Sequence, residues 1–404
     1  ADAVEARAAV EAAILYQGPV YLRFGRLAVP VIYDKDTYKF EMGKGVQMKE
    51  GTDVTIIATG IMVDMALTAA EQLANEGISA RVINMHTIKP IDRALLKAEL
   101  TGDKKLRRTN KSNNEIYIIT AHDSPNVMQE IGRLREIAFR YYGGGTGFPV
   151  DIDEYDTMDD AYRQLIVWSP EDEQILGGYR FLCGSDVKFD KAGKPVLATS
   201  HLFNFSDKFN KEYLPYTVEL GRSFVTLEYQ STRSGSAKGL FVLDNLWDGL
   251  GALSVVDPSL QYYFGKVTMY NTYNSEARNM ILYFLNMHFP DPEKLITPIC
   301  PLETGTDPEK MQELFKYDNF KDNYKVLNQE VRKFGINVPP LVNAYMSLSP
   351  KMRVFGTAIN HEFGEVEETG ILIAINEILE DKKKRHIETY LNEEGKSAGL
   401  IRNS

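Results

Sequence analysis

Glu219 and Arg222 stand three residues apart in the run TVELGRSFV, with Gly221 between them. A carboxylate can take up a proton directly or through one water, and a guanidinium can hold an anion, so the pair has the parts of an acid–base site. In a regular strand, residues three apart face opposite sides, which would separate the two. Gly221 offers a way around this. A glycine inside a strand often marks a bulge, which shifts the register by one and turns both side chains toward one cleft. The other reading of the spacing is a structural ion pair on a sheet. Asp151, Asp153 and Asp156 form an acidic run suited either to a cationic amino substrate or to a solvated loop. Arg135 and Arg180 can clamp a carboxylate bidentately or pair with those aspartates inside a shared site.

Other runs that look chemical do not hold up as sites. The glycine-rich stretch 143–147, GGGTG, follows a helical pattern and leads into the acidic run, whereas a phosphate cradle leads from a strand into a helix N-terminus. It reads as a mobile loop that orders over substrate. His361-Glu362 begins a zinc-like motif, but position 365 is Glu, so no metal is expected. Cys183 and Cys300 are too few for a disulfide framework, and a reducing cytoplasm is the simplest compartment. A net charge of -10 argues against nucleic-acid binding, which needs a surplus of Lys and Arg on one face. The apolar run around Ile281 to Leu285 falls short of the ~20 residues that span a bilayer. Lys382 to Lys384 with Arg385 and His386 could touch anionic lipid heads or form a basic helix turn. The localisation expected from this is cytoplasmic, with peripheral contact at the inner face of a membrane.

The elements that must position these residues fall into two dialects. At 404 residues the chain is long enough for two or three domains. Its opening, ADAVEARAAVEAAILYQ, reads as helix from mid-protein rather than as a signal peptide. A strand is expected at Val20 to Arg23, where Arg23 and Arg26 are either solvated or relics of a phosphate site. Then come a strand at Val54 to Ala58, a helix at Val63 to Asn75 capped by Gly77, and a parallel strand at Ala80 to Met85. Near residue 93 the character changes. DKKLRRTNKSNN reads as a basic connection, and Lys104, Lys105, Arg107, Arg108 and Lys111 are either an ordinary linker or a dock for an acidic partner. Strands follow at Glu115 to Thr120, Gln164 to Trp168, Gln174 to Phe181, Val218 to Glu228 and Tyr262 to Met269. Helices fall at 125–140, between the last two of those strands, and at Ser275 to Met287.

Three resemblances sit on these elements. GPVYLRFGR, GTDVTIIATGIMV and ARVINMHTIKPID resemble the end of the pyrimidine-binding domain and the start of the C-terminal domain of transketolases. That family uses thiamine diphosphate, whose diphosphate and magnesium ligands belong to an N-terminal domain not found in these residues. No thiamine diphosphate is therefore expected, and the piece over residues 1–92 is expected to be inactive alone. Over residues 93–404, TVELGRSFVTLEYQ, LFVLDNLWDGL and YYFGKVTMYNTYNSEARNMILYFL resemble the hemolysin-like family, which includes N-acyltransferases of ornithine-lipid and glycine-lipid synthesis. LREIAFR, VDIDEYD, GGYRFL and VELGRSFV are similar, in order, to acyl-homoserine-lactone synthases, which share the GNAT-type fold.

The resemblances imply a partial parallel α/β piece followed by a mixed sheet flanked by helices. They also imply transfer of a fatty acyl group from acyl carrier protein or coenzyme A to the amine of an amino acid. Glu219 and Arg222 would be catalytic, with Arg135, Phe139, Asp151, Asp153, Asp156, Arg180 and Ser223 binding substrate. A coenzyme A pyrophosphate loop, Q/R-x-x-G-x-G/A, would fall on 232–237, TRSGSA, through Gly235 and Ala237. Thr232 stands where that loop has Gln or Arg, which favours a carrier-protein donor. The alternatives are a thiamine-dependent transketolase fragment and a non-catalytic chimera of two unrelated pieces.

Overall fold

The computed structural model describes residues 1–88, 93–230 and 241–391. The expected pyrophosphate loop, with Gly235 and Ala237, lies outside the described residues. The chain divides into two compact units, Ala1–Leu100 with Ser124–Glu130, and the remainder.

In the first unit, α1 (Ala3–Leu15) is N-capped by Asp2, whose carboxylate accepts from the Glu5 N–H and also from Ile32 and Tyr33 at 2.8 and 2.9 Å. Strands β1 (Val46–Lys49), β2 (Val54–Ala58) and β3 (Ala80–Asn84) form a sheet in the order β1-β3-β2. β2 and β3 are parallel from Val54↔Ala80 to Ala58↔Asn84, and β1 pairs antiparallel on the other side of β3. Helix α2 (Met62–Asn75) crosses between the parallel strands and buries Val63, Ala66 and Ala70 against Ala58, Ala80 and Val82. Small residues on that face let helix and sheet approach closely. Gly77, at φ 83°, donates to the Ala74 carbonyl at 3.1 Å, and Ile78 donates to Leu73 at 3.0 Å, which closes the helix in a Schellman motif. α3 (Arg93–Glu99) ends the run. The strand expected at Val20 to Arg23 does not form: a strand needs a neighbour's ladder, and this mostly exposed segment has none.

The second unit is built on an eight-stranded sheet in the order β12-β13-β10-β9-β7-β6-β5-β4. Its strands are β4 (Lys105–Arg108), β5 (Glu115–Ile119), β6 (Arg163–Ser169), β7 (Gln174–Cys183), β9 (Thr217–Val225), β10 (Tyr262–Met269), β12 (Arg353–Asn360) and β13 (Val366–Ala374). A short β8 (Phe203–Phe205) pairs separately with β11 (Ile296–Pro298). α4 (Pro125–Tyr141) joins β5 to the acidic run, α5 (Glu154–Thr157) follows that run, α6 (Val242–Val256) precedes β10 and α7 (Ser275–His288) follows it. Every pair in the large sheet is antiparallel except β9 with β10. Alternation along the strands divides the interior. Leu165, Phe181, Val218, Leu220, Tyr263 and Val267 join α6 and α7 in one core, while Leu182, Phe264 and Leu372 join Tyr162, Leu197 and Phe209 on the opposite face.

One local expectation needs correction, and two others gain detail. The basic connection is an edge strand: β4 pairs with β5, Leu106 and Arg107 are buried, and Lys105 and Arg108 face Glu115. The glycine-rich loop is tied to α4 through Glu136. The Glu136 carboxylate accepts from the Thr146 N–H, the Thr146 hydroxyl and the Gly147 N–H, each at 2.9 Å. Near the C-terminus, Arg385 pairs with Asp244 and the buried His386 with Asp248, so these two turn toward α6.

Candidate functional site

The acidic run is placed by backbone geometry. Asp153 caps α5, accepting from the Tyr155 and Asp156 N–H groups, and Asp156 returns a bond from the Asp153 N–H at 3.2 Å, a capping box. Upstream, the Asp151 N–H donates to Gly132 in α4 at 2.9 Å. A Cβ on Gly132 would meet Ile152 at 2.6 Å, so glycine permits this approach. Asp151 and Asp156 are thereby fully buried, which excludes a solvated loop.

Three arginines meet these three aspartates. Arg222 Nε lies 2.9 Å from Asp151 Oδ2, and Arg135 Nε lies 3.3 Å from the same oxygen. Arg135 Nη2 is 2.7 Å from Asp156 Oδ2, and Arg180 Nη1 is 3.3 Å from that oxygen. Arg180 Nη1 is 2.5 Å from Asp153 Oδ1, and Arg222 Nη2 is 3.4 Å from Asp153 Oδ2. The contacts close a ring in which charges alternate and sum to zero. Gln164 Nε2 adds a bond to Asp156 Oδ1 at 2.9 Å. Burial disfavours the Asp156 carboxylate, yet Arg135 and Arg180 outweigh it and hold its pKa down to about 2. Burial likewise opposes the Arg180 charge, but Asp156 and Asp153 make it hold its proton more tightly than usual. For Arg222, burial pulls the pKa below the arginine range, with Asp151 pushing back.

Glu219 and Arg222 reach one face because β9 carries an extra residue. Arg180 pairs with Gly221 and Gly178 with Phe224, so Arg222 and Ser223 together oppose Tyr179 alone. The left-handed backbone falls on Arg222 itself, at φ 47°, and not on Gly221. For a non-glycine residue this costs ~1–2 kcal/mol, offset here by the ring and by a cation–π contact to Phe363 at 4.4 Å. Phe139 packs edge-on against that same Phe363, at 5.3 Å. Ser223 is not brought in. It sits beside the Tyr179 hydroxyl, and Tyr179 belongs to the core on the helix side.

The Glu219 carboxylate is enclosed. Oε2 accepts from the Tyr162 hydroxyl, while Oε1 accepts from the Thr199 N–H at 3.1 Å and the Thr199 hydroxyl at 2.6 Å. Tyr162 also accepts from the Ala198 N–H at 2.9 Å and lies under the Arg180 guanidinium, 5.3 Å from its ring centre. Burial and the Glu219 charge push the Tyr162 pKa well up.

The parallel strands part beside these groups. β9 and β10 pair from Thr217↔Tyr262 to Leu220↔Gly265 and no further, while β9 continues along β7 and β10 along β13. A Cβ on Gly265 would meet the Leu220 carbonyl at 2.7 Å, whereas one on Gly221 would meet nothing within 4 Å. The strands touch at one residue pair and open at the next. Backbone N–H and C=O groups facing such a gap can pair with an extended ligand. Sequence reasoning passed over Tyr162, Thr199, Lys266 and Glu368, all on this face. A Glu368 side chain opposite Thr268, two positions from a lysine's strand partner, becomes visible only through register.

A mixed sheet whose two central parallel strands part over a charged face is that of a GNAT-type acyltransferase. The comparisons agree. The GNAT acetyltransferase domain family matches residues 134–237, and the transketolase C-terminal domain family matches residues 43–112. A glycine N(alpha)-acyltransferase of Phocaeicola vulgatus is 69% identical over 306 residues, 76% of this chain and 94% of the relative. One of Bacteroides thetaiotaomicron is 69% identical over 304 residues, 75% of this chain and 90% of the relative. An apulose-4-phosphate transketolase polypeptide of Phocaeicola vulgatus is 44% identical over 103 residues, 25% of this chain and 33% of that protein. Among solved structures, the acyl-homoserine lactone synthase LasI is 14% identical, covering 38% of this chain and 73% of that one, with a TM-score of 0.25. The chain belongs to the glycine N(alpha)-acyltransferase family and is an N-acyltransferase. The transketolase and N-acyltransferase resemblances read from the sequence are borne out.

Proposed function

We propose that the chain transfers a fatty acyl group from a phosphopantetheine thioester, on acyl carrier protein or coenzyme A, to the amine of glycine in aminolipid synthesis. The observation that carries this reading is the parting of β9 and β10 after Leu220 and Gly265, beside Arg222. The extended pantetheine arm pairs with the exposed strand edges and brings the thioester carbonyl to the gap. The neutral amine attacks that carbon, a C–N bond forms, the C–S bond breaks, and the thiolate leaves with the proton the amine gives up. Arg222 faces the charge that develops on the carbonyl oxygen. Glu219 takes the proton in transit, and because donors occupy both its oxygens, the proton reaches it through the Tyr162 hydroxyl. Arg135, Arg180, Asp151, Asp153 and Asp156 hold Arg222 in place.

We place the division between the two pieces near residue 93, giving 1–92 and 93–404, and assign the transketolase-like piece no reaction of its own. Among the described residues no helix is long and apolar enough to cross a membrane. Incubation with acyl carrier thioester, or with acyl-CoA, and glycine, followed by mass spectrometry, tests the reading. N-acylglycine is expected, and its absence with both donors would overturn it.

A further inference from the structure

A second charged pair lies across the gap from the ring. Lys266 follows Gly265, the last β10 residue paired with β9, and lies on the same face as Phe264, which pairs with Glu219. Gly221 holds the corresponding place on β9, where the space is open. The bulge turns Arg222 onto this face as well, so two cations flank the gap, one from each parting strand. Lys266 Nζ lies 2.5 Å from Glu368 Oε2 on β13, with side-chain exposures of 12% and 0%. Glu368 is oriented by its neighbours: Thr268 Oγ1 donates to Oε2 at 3.3 Å, and Asn360 Nδ2 donates to Oε1 at 3.5 Å.

The cations on this face differ in what they have left to give. Arg135, Arg180 and Arg222 each lie between two carboxylates of the closed ring. An ammonium has three donors, and among the described residues Lys266 meets one carboxylate. A buried lysine with one anionic partner among the described residues, at the mouth of the gap, has already given up its own hydration and can hold a second anion through its remaining donors. The acceptor offers two groups, the amine that reacts and a carboxylate. Holding the carboxylate at Lys266 directs the amine back toward the thioester between the strands.

We propose that Lys266 binds the α-carboxylate of the acceptor amino acid, with Glu368 positioning its ammonium. This rests on the glycine reading above. The test compares glycine with glycine methyl ester, which keeps the amine and lacks the negative charge, using one acyl thioester donor and one preparation of each variant, so that the folded fraction cancels in the ratio. In Lys266→Gln the glycine-to-ester ratio of kcat/KM is expected to fall at least about tenfold, mainly through KM for glycine, with Lys266→Arg restoring part of it. The double variant Lys266→Gln with Glu368→Gln, which leaves no uncompensated charge, keeps the low ratio. A ratio within about twofold of wild type in Lys266→Gln, with both acceptors losing rate together, assigns the pair to the fold and overturns the proposal. A wild-type protein that acylates neither acceptor overturns the glycine reading and this inference with it.

Discussion

Asp153 joins Arg180 to Arg222: one carboxylate oxygen lies 2.5 Å from Arg180 and the other 3.4 Å from Arg222. Asp153 is also the N-cap of α5, so a local helix start and a long-range tie between β7 and β9 rest on one side chain. Removing it strips a cap and leaves two guanidiniums short of a partner. Asp153→Ala is expected to lower stability by about 3 kcal/mol or more in denaturant unfolding, beyond the ~1 kcal/mol of a cap alone.

Asp156 gives the ring a pH dependence. Its folded pKa of about 2 lies below the ordinary 3.8, so its contribution is complete above about pH 4 and is lost as pH falls toward 2. The loss amounts to ~2 kcal/mol across that window. Asp156→Asn should be less stable than the wild-type protein at neutral pH, with a flatter stability curve between pH 4 and pH 2.

Arg222 combines a strained backbone with a side chain in the ring, and the two can be separated. Arg222→Gly relieves the positive φ that Arg222→Ala retains, so the glycine variant should be the more stable by about 1 kcal/mol in thermal or denaturant unfolding. Both should lose most acyl transfer. Equal stability of the two variants would show that the bulge relaxes when the guanidinium is gone.

Glu219 and Tyr162 should behave as one unit in catalysis. Glu219→Gln and Tyr162→Phe are each expected to lower kcat by about 100-fold, and the double variant by little more. Multiplicative losses would remove Glu219 as the proton acceptor.

Gly221 provides a test of the gap itself. A side chain there meets nothing within 4 Å, so Gly221→Leu should fold with a stability within about 1 kcal/mol of wild type. It should raise KM for the acyl donor by at least about tenfold. Unchanged donor kinetics would place the thioester elsewhere.

What could be read in the sequence was what local chemistry dictates. The glycine in ELGR marked an irregular strand, although the left-handed residue is its neighbour Arg222, whereas the capping box in the D-x-x-D spacing of Asp153 and Asp156 went unread. Pairing between the arginines and aspartates was one of two open readings, and burial decides it. Other features depend on what the rest of the chain supplies. Val20 to Arg23 has strand-forming residues and no ladder to join, while Lys105 to Arg108 looks like linker and is recruited as a strand by β5. The β12–β13 hairpin had a signal in two β-branched runs around NHEFGE, which the zinc-like His-Glu pair between them obscured. Lys266 and Glu368 are a hundred residues apart, and only the antiparallel register of β10 and β13 makes them partners.

The closed circuit of three arginines and three aspartates also constrains inheritance. Each carboxylate in it serves two guanidiniums, so no member can change alone without leaving an unbalanced charge in a largely buried site. Tolerated substitutions must arrive as compensating pairs, one acid and one base together. Across a lineage of such proteins the five positions around Arg222, itself held by its proposed role in acyl transfer, should therefore drift as a correlated block, silent for long intervals and then changed in twos.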